Sequence, residues 1–200
     1  MSENGNSRKD ISTDVRFECT QCGACCRHEQ ILVTVNGRDI ARLAYALGLS
    51  ANQMMRALDF YVVPEDETIP MGLQDTPSVL TERGPAYPAL KKLEDDSCVF
   101  LKDNLCMVHP ARPGVCRSFP FVFERSDGDM KWGLHALVEI CSGMGKGDPV
   151  TKEELGVIGS AFLEEWRLYR EFVDEWNIER VTHSAIDFIR AILEDPRFSV

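Results

Sequence analysis

Four cysteines within eight residues constrain this chain more than any other feature of its sequence. They are Cys19, Cys22, Cys25 and Cys26, in the run C-T-Q-C-G-A-C-C. Thiols at two-residue intervals on a short loop converge on one point, and the usual occupant of such a point is a soft metal ion or an iron–sulfur cluster. All eight cysteines of the chain are candidate metal ligands, since a looser second group follows at Cys98, Cys106, Cys116 and Cys141.

The size and charge of the chain narrow the classes of protein it can belong to. Its 200 residues suit one domain with an appendage or two small domains, and they can bury a core without cross-links. The net charge of −10 argues against nucleic acid or an anionic membrane surface as a partner, because both attract Lys and Arg. Residues 1–16 lack a secretory signal and no apolar run is long enough to span a membrane, so we expect a cytoplasmic protein. In a reducing cytosol, grouped cysteines favour metal binding or redox chemistry over structural disulfides.

The amino-terminal half of the sequence predicts short helices and strands. A strand is predicted at residues 31–35, followed by a helix with its apolar face over residues 40–47 and its end at Gly48. Residues 50–53 carry a capping-box pattern that predicts a second short helix. Five prolines in residues 64–88 exclude long helices there, so we expect turns and short extended pieces.

Two hairpins and two long helices are predicted in the rest of the chain. Residues 98–108 and 119–134 each hold two strand-like runs around a turn. Thr151 and Glu154 form a capping box, after which apolar residues recur at spacings of three and four, as on an amphipathic helix. Those residues are Leu155, Ile158, Phe162, Trp166, Tyr169, Val173 and Trp176. A final helix is predicted over residues 178–193, with an inward face made of Val181, Ala185, Phe188, Ile189 and Ile192.

These elements predict an α+β fold. A small cysteine-rich metal-binding domain of short hairpins and helices is followed by a carboxy-terminal helical hairpin. The predicted boundaries are a disordered tail at residues 1–14, the metal-binding domain at 15–147, and the helical hairpin packed on it at 148–200. We expect the aromatic face of the first long helix to be core rather than a ligand pocket, because amphipathic helices normally bury such a face.

The spacing of the first cluster bears on the kind of metal centre. Cys19 and Cys22 can reach one metal from a tight turn, for which Gly23 supplies backbone freedom. A third cysteine at the same interval resembles the ligand run of iron–sulfur proteins, whereas most zinc ribbons use two separated pairs. Neighbouring side chains usually diverge, so the adjacent Cys25 and Cys26 predict two nearby metal centres. Eight cysteines at four ligands per centre also give two centres. A single centre, with the other thiols buried as small hydrophobic groups, stays open.

Other polar residues near the cysteines have plainer interpretations. His109 lies between two candidate ligands, but a packed or surface side chain is the simpler reading, because imidazole ligands need partners that fix them. Arg112 and Arg117 either donate hydrogen bonds to thiolate or sulfide, or pair with carboxylates. Asp39 and Arg42 are expected on the solvated face of the first helix.

The sequence lacks the common catalytic constellations. It has no phosphate-binding glycine loop, no nucleophile elbow and no dinucleotide fingerprint. Eight thiols and four histidines make a cysteine protease a poor explanation. A thiol–disulfide oxidoreductase using Cys19 and Cys22 would lack a thioredoxin-like context. Whether the protein is an enzyme stays open.

The cysteine motifs resemble those of a known family. The run F-E-C-T-Q-C-G-A-C-C is similar to the signature C-x-x-C-G-x-C-C of the YkgJ-type cysteine-cluster family, a zinc- or iron-chelating domain. The resemblance covers residues 17–147, through V-T-V-N-G-R-D-I-A-R-L and R-P-G-V-C-R-S-F-P-F to C-S-G-M-G-K-G, and includes all eight cysteines. It implies metal binding and no particular activity. The family usually has Tyr where His109 stands, which weakens His109 as a ligand, and it often has Pro where Ser142 stands. A similar cluster in flagellin lysine methylases looks like an iron–sulfur site, but it carries no methylase activity to this chain.

Together these features predict a cytoplasmic protein that binds iron, as an iron–sulfur cluster, or zinc through its eight cysteines. We expect two centres, a redox or accessory role, and a protein partner of unknown identity rather than nucleic acid or a membrane. One alternative is a structural zinc module for protein interaction. Another is an iron–sulfur-dependent modifying enzyme or its accessory subunit.

Overall fold

Six helices and nine strands form in the part of the chain that the structure, a computed structural model, describes: residues 15–64, 66–69, 71–73, 75–178 and 183–200. The helices are α1 (Ala24–Arg27), α2 (Gly37–Leu47), α3 (Ala51–Met54), α4 (Gly114–Ser118), α5 (Lys152–Ile178) and α6 (Ala185–Glu194). The strands are β1 (Arg16–Phe17), β2 (Leu58–Tyr61), β3 (Val79–Thr81), β4 (Gly84–Leu90), β5 (Leu101–Lys102), β6 (Leu105–Cys106), β7 (Phe121–Ser126), β8 (Asp129–Leu134) and β9 (Met144–Pro149). This mixture of helices and small antiparallel sheets confirms the α+β prediction.

The described residues fall into two compact units. The first contains Ser118–Leu163 together with the chain up to Thr20, and the second contains Gln21–Arg117 and Glu164–Val200. Residues 152–163 of α5 therefore count with the first unit and the rest of that helix with the second. No helix in the described ranges combines the length and the apolar character that crossing a membrane requires.

The first unit is built on two antiparallel strand pairs. The β7–β8 hairpin, predicted from the sequence, pairs Phe121 with Leu134 at one end and Ser126 with Asp129 at the turn. Strand β1 pairs with the distant β9, and the Phe17 ring of β1 meets the Phe121 ring of β7 edge-on at 5.6 Å. The start of α5 belongs to the same unit, where Leu155 is buried and the capping box of Thr151 and Glu154 forms as predicted.

The second unit holds a three-stranded antiparallel sheet in the order β2-β4-β3. The central strand β4 contains Pro85 and Pro88, residues that are normally confined to edges because they lack an N–H. Here different halves of β4 pair with different neighbours, since residues 84–86 face β3 and residues 87–90 face β2. Pro85 therefore pairs with β3 and Pro88 with β2, and on its other side Pro88 accepts a bond from the Val35 N–H at 3.2 Å.

Helices α2, α3 and α6 and the second half of α5 supply the core of the second unit. Helix α2 starts with a capping box between Asn36 and Asp39 and ends at Gly48, whose φ of 63° is left-handed, as the sequence predicts. The aromatic face of α5 is core here, because Trp166, Tyr169 and Val173 are all buried. The largest fully buried side chains of this unit include Ile40, Leu43, Met54, Leu58, Leu73, Tyr169, Phe188, Ile189, Ile192 and Phe198.

Several predicted elements differ from the structure. The strand predicted at residues 31–35 is reduced to one bridge, between Thr34 and Ala89, made by the bonds from the Val35 N–H to the Pro88 carbonyl and from the Leu90 N–H to the Val33 carbonyl. Pro88 has no N–H to donate back to Val35, so the ladder does not continue. The last helix begins at Ala185 and not at Ile178, where α5 ends, because Ser184 caps α6 through Asp187. The hairpin predicted over residues 98–108 forms, with strands of only two residues each.

Three predictions about single residues also need correction or concern residues outside the described ranges. Ile158 is 41% exposed and Leu47 is 37% exposed, so neither apolar face is buried along its whole length. Val181 lies outside the described residues, as does the tail predicted at 1–14. The predicted domain boundaries stay a prediction. The two compact units follow other limits.

Candidate metal centre

The loop that carries Cys22, Cys25 and Cys26 turns at Gly23. Gly23 has a left-handed φ of 71°, and a Cβ atom there would lie 3.1 Å from the Asn104 carbonyl oxygen. The Cys26 N–H donates to the Gly23 carbonyl at 3.1 Å, which starts the short helix α1. The predicted need for glycine in this turn is therefore confirmed, and the turn directs Cys25 and Cys26 into the second unit.

The β5–β6 hairpin brings two further cysteines to the same loop. The Cys98 N–H donates to the Cys26 carbonyl at 2.7 Å, and Cys106 pairs with Leu101 across the hairpin. The Arg27 side chain donates to the Asn104 side chain at the hairpin turn. Backbone and side-chain bonds thus hold α1 against the hairpin, independently of any bond between sulfur atoms.

Cys116 joins this group from α4. Burial is the main cause that raises the pKa of the Cys116 thiol well above its usual value, and the charges of Cys25, Cys98 and Cys106 add to the rise. Burial also raises the pKa of Cys98, again with contributions from Cys106 and Cys25. Four thiols from four separate segments of the second unit therefore lie within electrostatic reach of one another.

Cys25 connects this group of four to the rest of the loop. Its pKa is raised first by the hydrogen bond it makes with Cys26, then by burial, and then by the charges of Cys26 and Cys22. The two-centre prediction expects the side chains of Cys25 and Cys26 to diverge. In the structure they are hydrogen-bonded to each other. The number of centres stays a prediction.

The first unit holds the two remaining cysteines. The Glu18 N–H donates to the Gly143 carbonyl at 3.2 Å, and the Thr20 and Ser142 hydroxyls are 2.9 Å apart. Cys19 lies between Glu18 and Thr20 in sequence, and Cys141 directly precedes Ser142. The β1–β9 region therefore brings these two cysteines to neighbouring positions, although they are far apart in the sequence.

The cysteines supply sulfur ligands, but their positions do not complete the coordination geometry of a metal ion. Nowhere in the described ranges are three or more His, Cys, Asp or Glu side chains arranged to hold one ion. All eight cysteines are thiols, and their exposure ranges from the buried Cys98 to the exposed Cys19 and Cys22. What fits zinc or iron is the chemistry of the donor set, since a group of sulfur ligands is what these soft or borderline ions select.

The histidine and arginine beside Cys116 have protein partners. The His109 Nε2 lies 2.8 Å from an Arg112 guanidinium nitrogen, so the packed interpretation of His109 agrees with its position. Arg117 lies 3.4 Å from the Glu165 carboxylate, which supports the ion-pair reading of that residue.

One prediction near the site is wrong. Asp39 and Arg42 do not lie on a solvated face, because the Asp39 side chain is fully buried and Arg42 is only 18% exposed. The Arg42 guanidinium joins Asp39 at 3.0 Å to Glu165 at 2.8 Å. The helical pattern could not reveal this, because Glu165 arrives from α5, far away in the sequence.

The fold and the donor set define a class of protein: a small α+β protein with thiols grouped for metal binding. A family model described as "CxxCxxCC: putative zinc- or iron-chelating domain" matches residues 18–142. The match covers more than half of the chain, and this protein belongs to that family. No curated protein and no solved structure is significantly similar to the chain.

Proposed function

We propose that the protein binds zinc or iron through its eight cysteines, and that Cys25, Cys98, Cys106 and Cys116 form one centre. The observation that carries the proposal is that α1, the β5–β6 hairpin and α4 lie in one compact unit, with the Cys98 N–H bonded to the Cys26 carbonyl at 2.7 Å and Cys106 on the same hairpin. The charges of Cys25, Cys98 and Cys106 all raise the pKa of Cys116, which agrees with this arrangement. Four sulfur ligands are the complete set for a tetrahedral zinc ion and also for an iron–sulfur cluster. A second centre stays a prediction from the sequence, where eight cysteines divide into two sets of four.

Between the two metals, we favour an iron–sulfur cluster. The preference rests on the sequence alone, where Cys19, Cys22 and Cys25 stand at the C-x-x-C-x-x-C spacing that is typical of iron–sulfur ligation. The proposed centre takes only Cys25 from that run. When bound, such a cluster would supply one-electron redox chemistry, and a zinc ion would supply a structural cross-link instead. The residues of the chain hold the ligands in place and limit the access of water through the burial of Cys98. The raised pKa values of Cys25, Cys98 and Cys116 keep these three thiols protonated until a metal displaces the protons.

A redox or accessory role with a protein partner is consistent with the surroundings of Cys106. Its two neighbours in sequence, Leu105 and Met107, are 55% and 60% exposed. Apolar side chains beside a ligand favour contact with another protein, which would exclude water from the centre. We propose a reducing compartment, the cytoplasm, as the location, because the eight cysteines are thiols.

The metal content decides this proposal. The protein is purified without oxygen, its absorption spectrum is recorded, and iron, acid-labile sulfide and zinc are quantified per chain. Broad visible absorption with iron and sulfide in equal amounts supports the cluster. A colourless protein with bound zinc would support a metal site, but it would show a structural zinc site in place of an iron–sulfur cluster. A protein with neither metal, after reconstitution with each, overturns the proposal.

A matched pair of variants tests which residues bind the metal. Cys106→Ser removes one proposed ligand, and we expect it to lose the metal of that centre. Met107→Leu changes the exposed neighbour, keeps its apolar character and removes its sulfur. It should keep the full metal content. Equal metal content in both variants would exclude Cys106 from the centre.

A further inference from the structure

Asp39 holds an unusual position beside the proposed centre. Its carboxylate is fully buried and belongs to no ligand set that the sequence predicts. One oxygen, Oδ2, accepts from the Asn36 N–H at 3.3 Å and closes the capping box of α2. The other oxygen, Oδ1, accepts from the Gly114 N–H at 2.8 Å. One side chain therefore joins the start of α2 to the start of α4.

The second bond matters because α4 carries Cys116. Gly114 is the first residue of this five-residue helix, and Cys116 is its third. A helix this short has little stability of its own, so its position depends on the bonds that anchor it. The negative charge of Asp39 is also among the causes that raise the pKa of the Cys116 thiol, which places the two groups within electrostatic reach.

Two arginines and a second carboxylate fix Asp39 in turn. The Arg42 guanidinium donates to Asp39 at 3.0 Å and to Glu165 at 2.8 Å, and Arg117 lies 3.4 Å from Glu165. Arg117 directly follows Cys116 in the sequence, so the network returns to α4 through a second route. Two positive and two negative charges make the network neutral. A buried network of this kind fixes positions well only when its members have partners.

We infer that Asp39 is a positioning residue for the metal centre, which fixes α4 and thereby the Cys116 sulfur. The inference rests on the proposed function, since it concerns a ligand of that centre. Its chemistry is that of the carboxylates that orient metal ligands from behind, although here the carboxylate acts through a backbone N–H and not on the ligand itself. The loss of such partners typically weakens metal affinity about 10- to 100-fold.

The chain contains a closely matched control. On α6, Asp187 closes a capping box with Ser184 and accepts from Arg190 at 2.7 Å, as Asp39 does with Asn36 and Arg42. Asp187 is 43% exposed, and its bonds to Ser184 and Arg190 lie within its own helix and cap. A change at Asp187 therefore removes a capping carboxylate and an arginine pair without touching α4.

The experiment measures Co²⁺ binding to the metal-free full-length chain, by competition with a chelator and by the visible absorption of the bound ion. We expect Asp39→Ala to weaken affinity at least about 10-fold and to alter the thiolate–cobalt bands. Asp39→Asn keeps an oxygen that can accept from Gly114, so it should restore most of the affinity. Asp187→Ala should match the wild type in both readouts. Wild-type affinity and bands in Asp39→Ala would overturn the inference.

A second measurement needs no variant. In the wild-type chain, hydrogen exchange of the Gly114 amide reports on its bond to Asp39. Zn²⁺ should slow this exchange more than it slows exchange of the Asp187 amide, and equal effects at both sites would contradict the inference. If the wild type binds neither Co²⁺ nor Zn²⁺ through thiols, the proposed function itself fails, which is a different result from any of those above.

Discussion

The Asp39 carboxyl group shows how folding changes the chemistry of a single residue. Complete burial is the main cause that raises its pKa from 3.8 to about 6, and the nearby negative charge of Glu165 adds to the rise. The Gly114 N–H, the Arg42 guanidinium and the Asn36 N–H oppose it. The free energy needed to remove the charge from water therefore exceeds the stabilisation that the hydrogen bonds give to the charged carboxylate.

This shift predicts a stability change of definite sign. Because the pKa of Asp39 is higher in the folded protein, the folded state binds the proton more tightly and gains stability as the pH falls from about 6 to 3.8. The difference between these two values corresponds to roughly 3 kcal/mol. We expect urea unfolding of the metal-free protein to show about 2 kcal/mol of this gain between pH 7.5 and 4.5, because pH 4.5 is still above the unfolded pKa of 3.8. Asp39→Asn should lack it.

Asp187 supplies the control with the opposite sign. Hydrogen bonds from Ser184 are the main cause that lowers the pKa of Asp187. The contribution of Asp187 to the stability of the folded protein is therefore present above pH 3.8 and is lost as the pH falls. Asp187→Asn should therefore make stability less sensitive to acid, whereas Asp39→Asn removes a gain at low pH. Parallel pH profiles for the wild type and Asp39→Asn would contradict the assignment.

The prediction of a solvated Asp39, which the structure contradicts, overlooked a local pattern. Asn36 and Asp39 stand at the spacing of a capping box, and Arg42 follows at a helical spacing that allows an ion pair. Burial of the group is not predictable from α2 alone, because Gly114 and Glu165 approach from distant segments. For the same reason the sequence identifies the cysteines as ligands but not their grouping, since the neighbours of Cys116 come from other elements.

Among the elements, α5 offers a test of packing in the first unit. Its Gly159 is buried, and a Cβ atom there would overlap the Met130 sulfur and lie 2.5 Å from the Phe123 ring. Gly156, one turn earlier, has no atom within 4 Å of such a Cβ. The two glycines share a helix and differ in what surrounds them.

We expect Gly159→Ala to destabilise the protein by about 1 kcal/mol, because overpacking against the β7–β8 hairpin outweighs the better helix propensity of Ala. Gly156→Ala should stabilise it by up to about 1 kcal/mol, since only the propensity changes there. Denaturant unfolding followed by tryptophan fluorescence measures both. Equal gains in stability for the two variants would show that the hairpin does not pack on this part of the helix.

The pairing of β1 with β9 depends on a different glycine. A Cβ atom at Gly143 would overlap the Glu18 carbonyl oxygen, a backbone atom that cannot rotate away. We expect Gly143→Ala to break the bond from the Glu18 N–H and to separate Cys19 from Cys141. Faster hydrogen exchange at Glu18 and a lower metal content are the expected signs.

Gly133→Ala is the control for this change. Its added methyl group would meet only the Val122 side chain, at an ordinary 3.7 Å, on the β7–β8 hairpin of the same unit. It should leave exchange at Glu18 unchanged. If Gly143→Ala behaves in the same way, the approach of the two strands is looser than the structure shows.

Element prediction succeeded where a local pattern decides the structure. The starts of α3 and α5 follow the two predicted capping boxes, and Gly48 ends α2 because its left-handed φ suits glycine. The start of α6 at Ser184 was not predicted. The pairing of β1 with β9, by contrast, joins the two ends of the first unit, and neither strand has an apolar alternation that announces it. The expected strand at residues 31–35 failed because its partners lie in β4, whose prolines interrupt a regular ladder.

At the scale of the whole molecule, metal binding would act as a cross-link between distant segments. The proposed centre takes its ligands from α1, from the segment before β5, from β6 and from α4. A backbone bond from Cys98 to Cys26 joins the first two, and the bond from the Gly114 N–H to the Asp39 side chain anchors α4. A ligand that binds only the folded arrangement stabilises it by mass action, and more strongly as its concentration rises. The acidic surface, with a net charge of −10, also attracts cations towards the chain.

Metal binding by this protein should release protons, because the thiols of the proposed centre hold theirs tightly. The pKa values of Cys25, Cys98 and Cys116 are raised, so these thiols are neutral near pH 7 and must ionise to bind a metal. We expect about three or more protons to leave per ion bound to this centre. Affinity should therefore rise steeply with pH. Calorimetric titration with Zn²⁺ in two buffers of different ionisation enthalpy counts the protons, and Cys98→Ser should release fewer than Met107→Leu. Release of less than about one proton in the wild type would mean that these thiols are not the ligands.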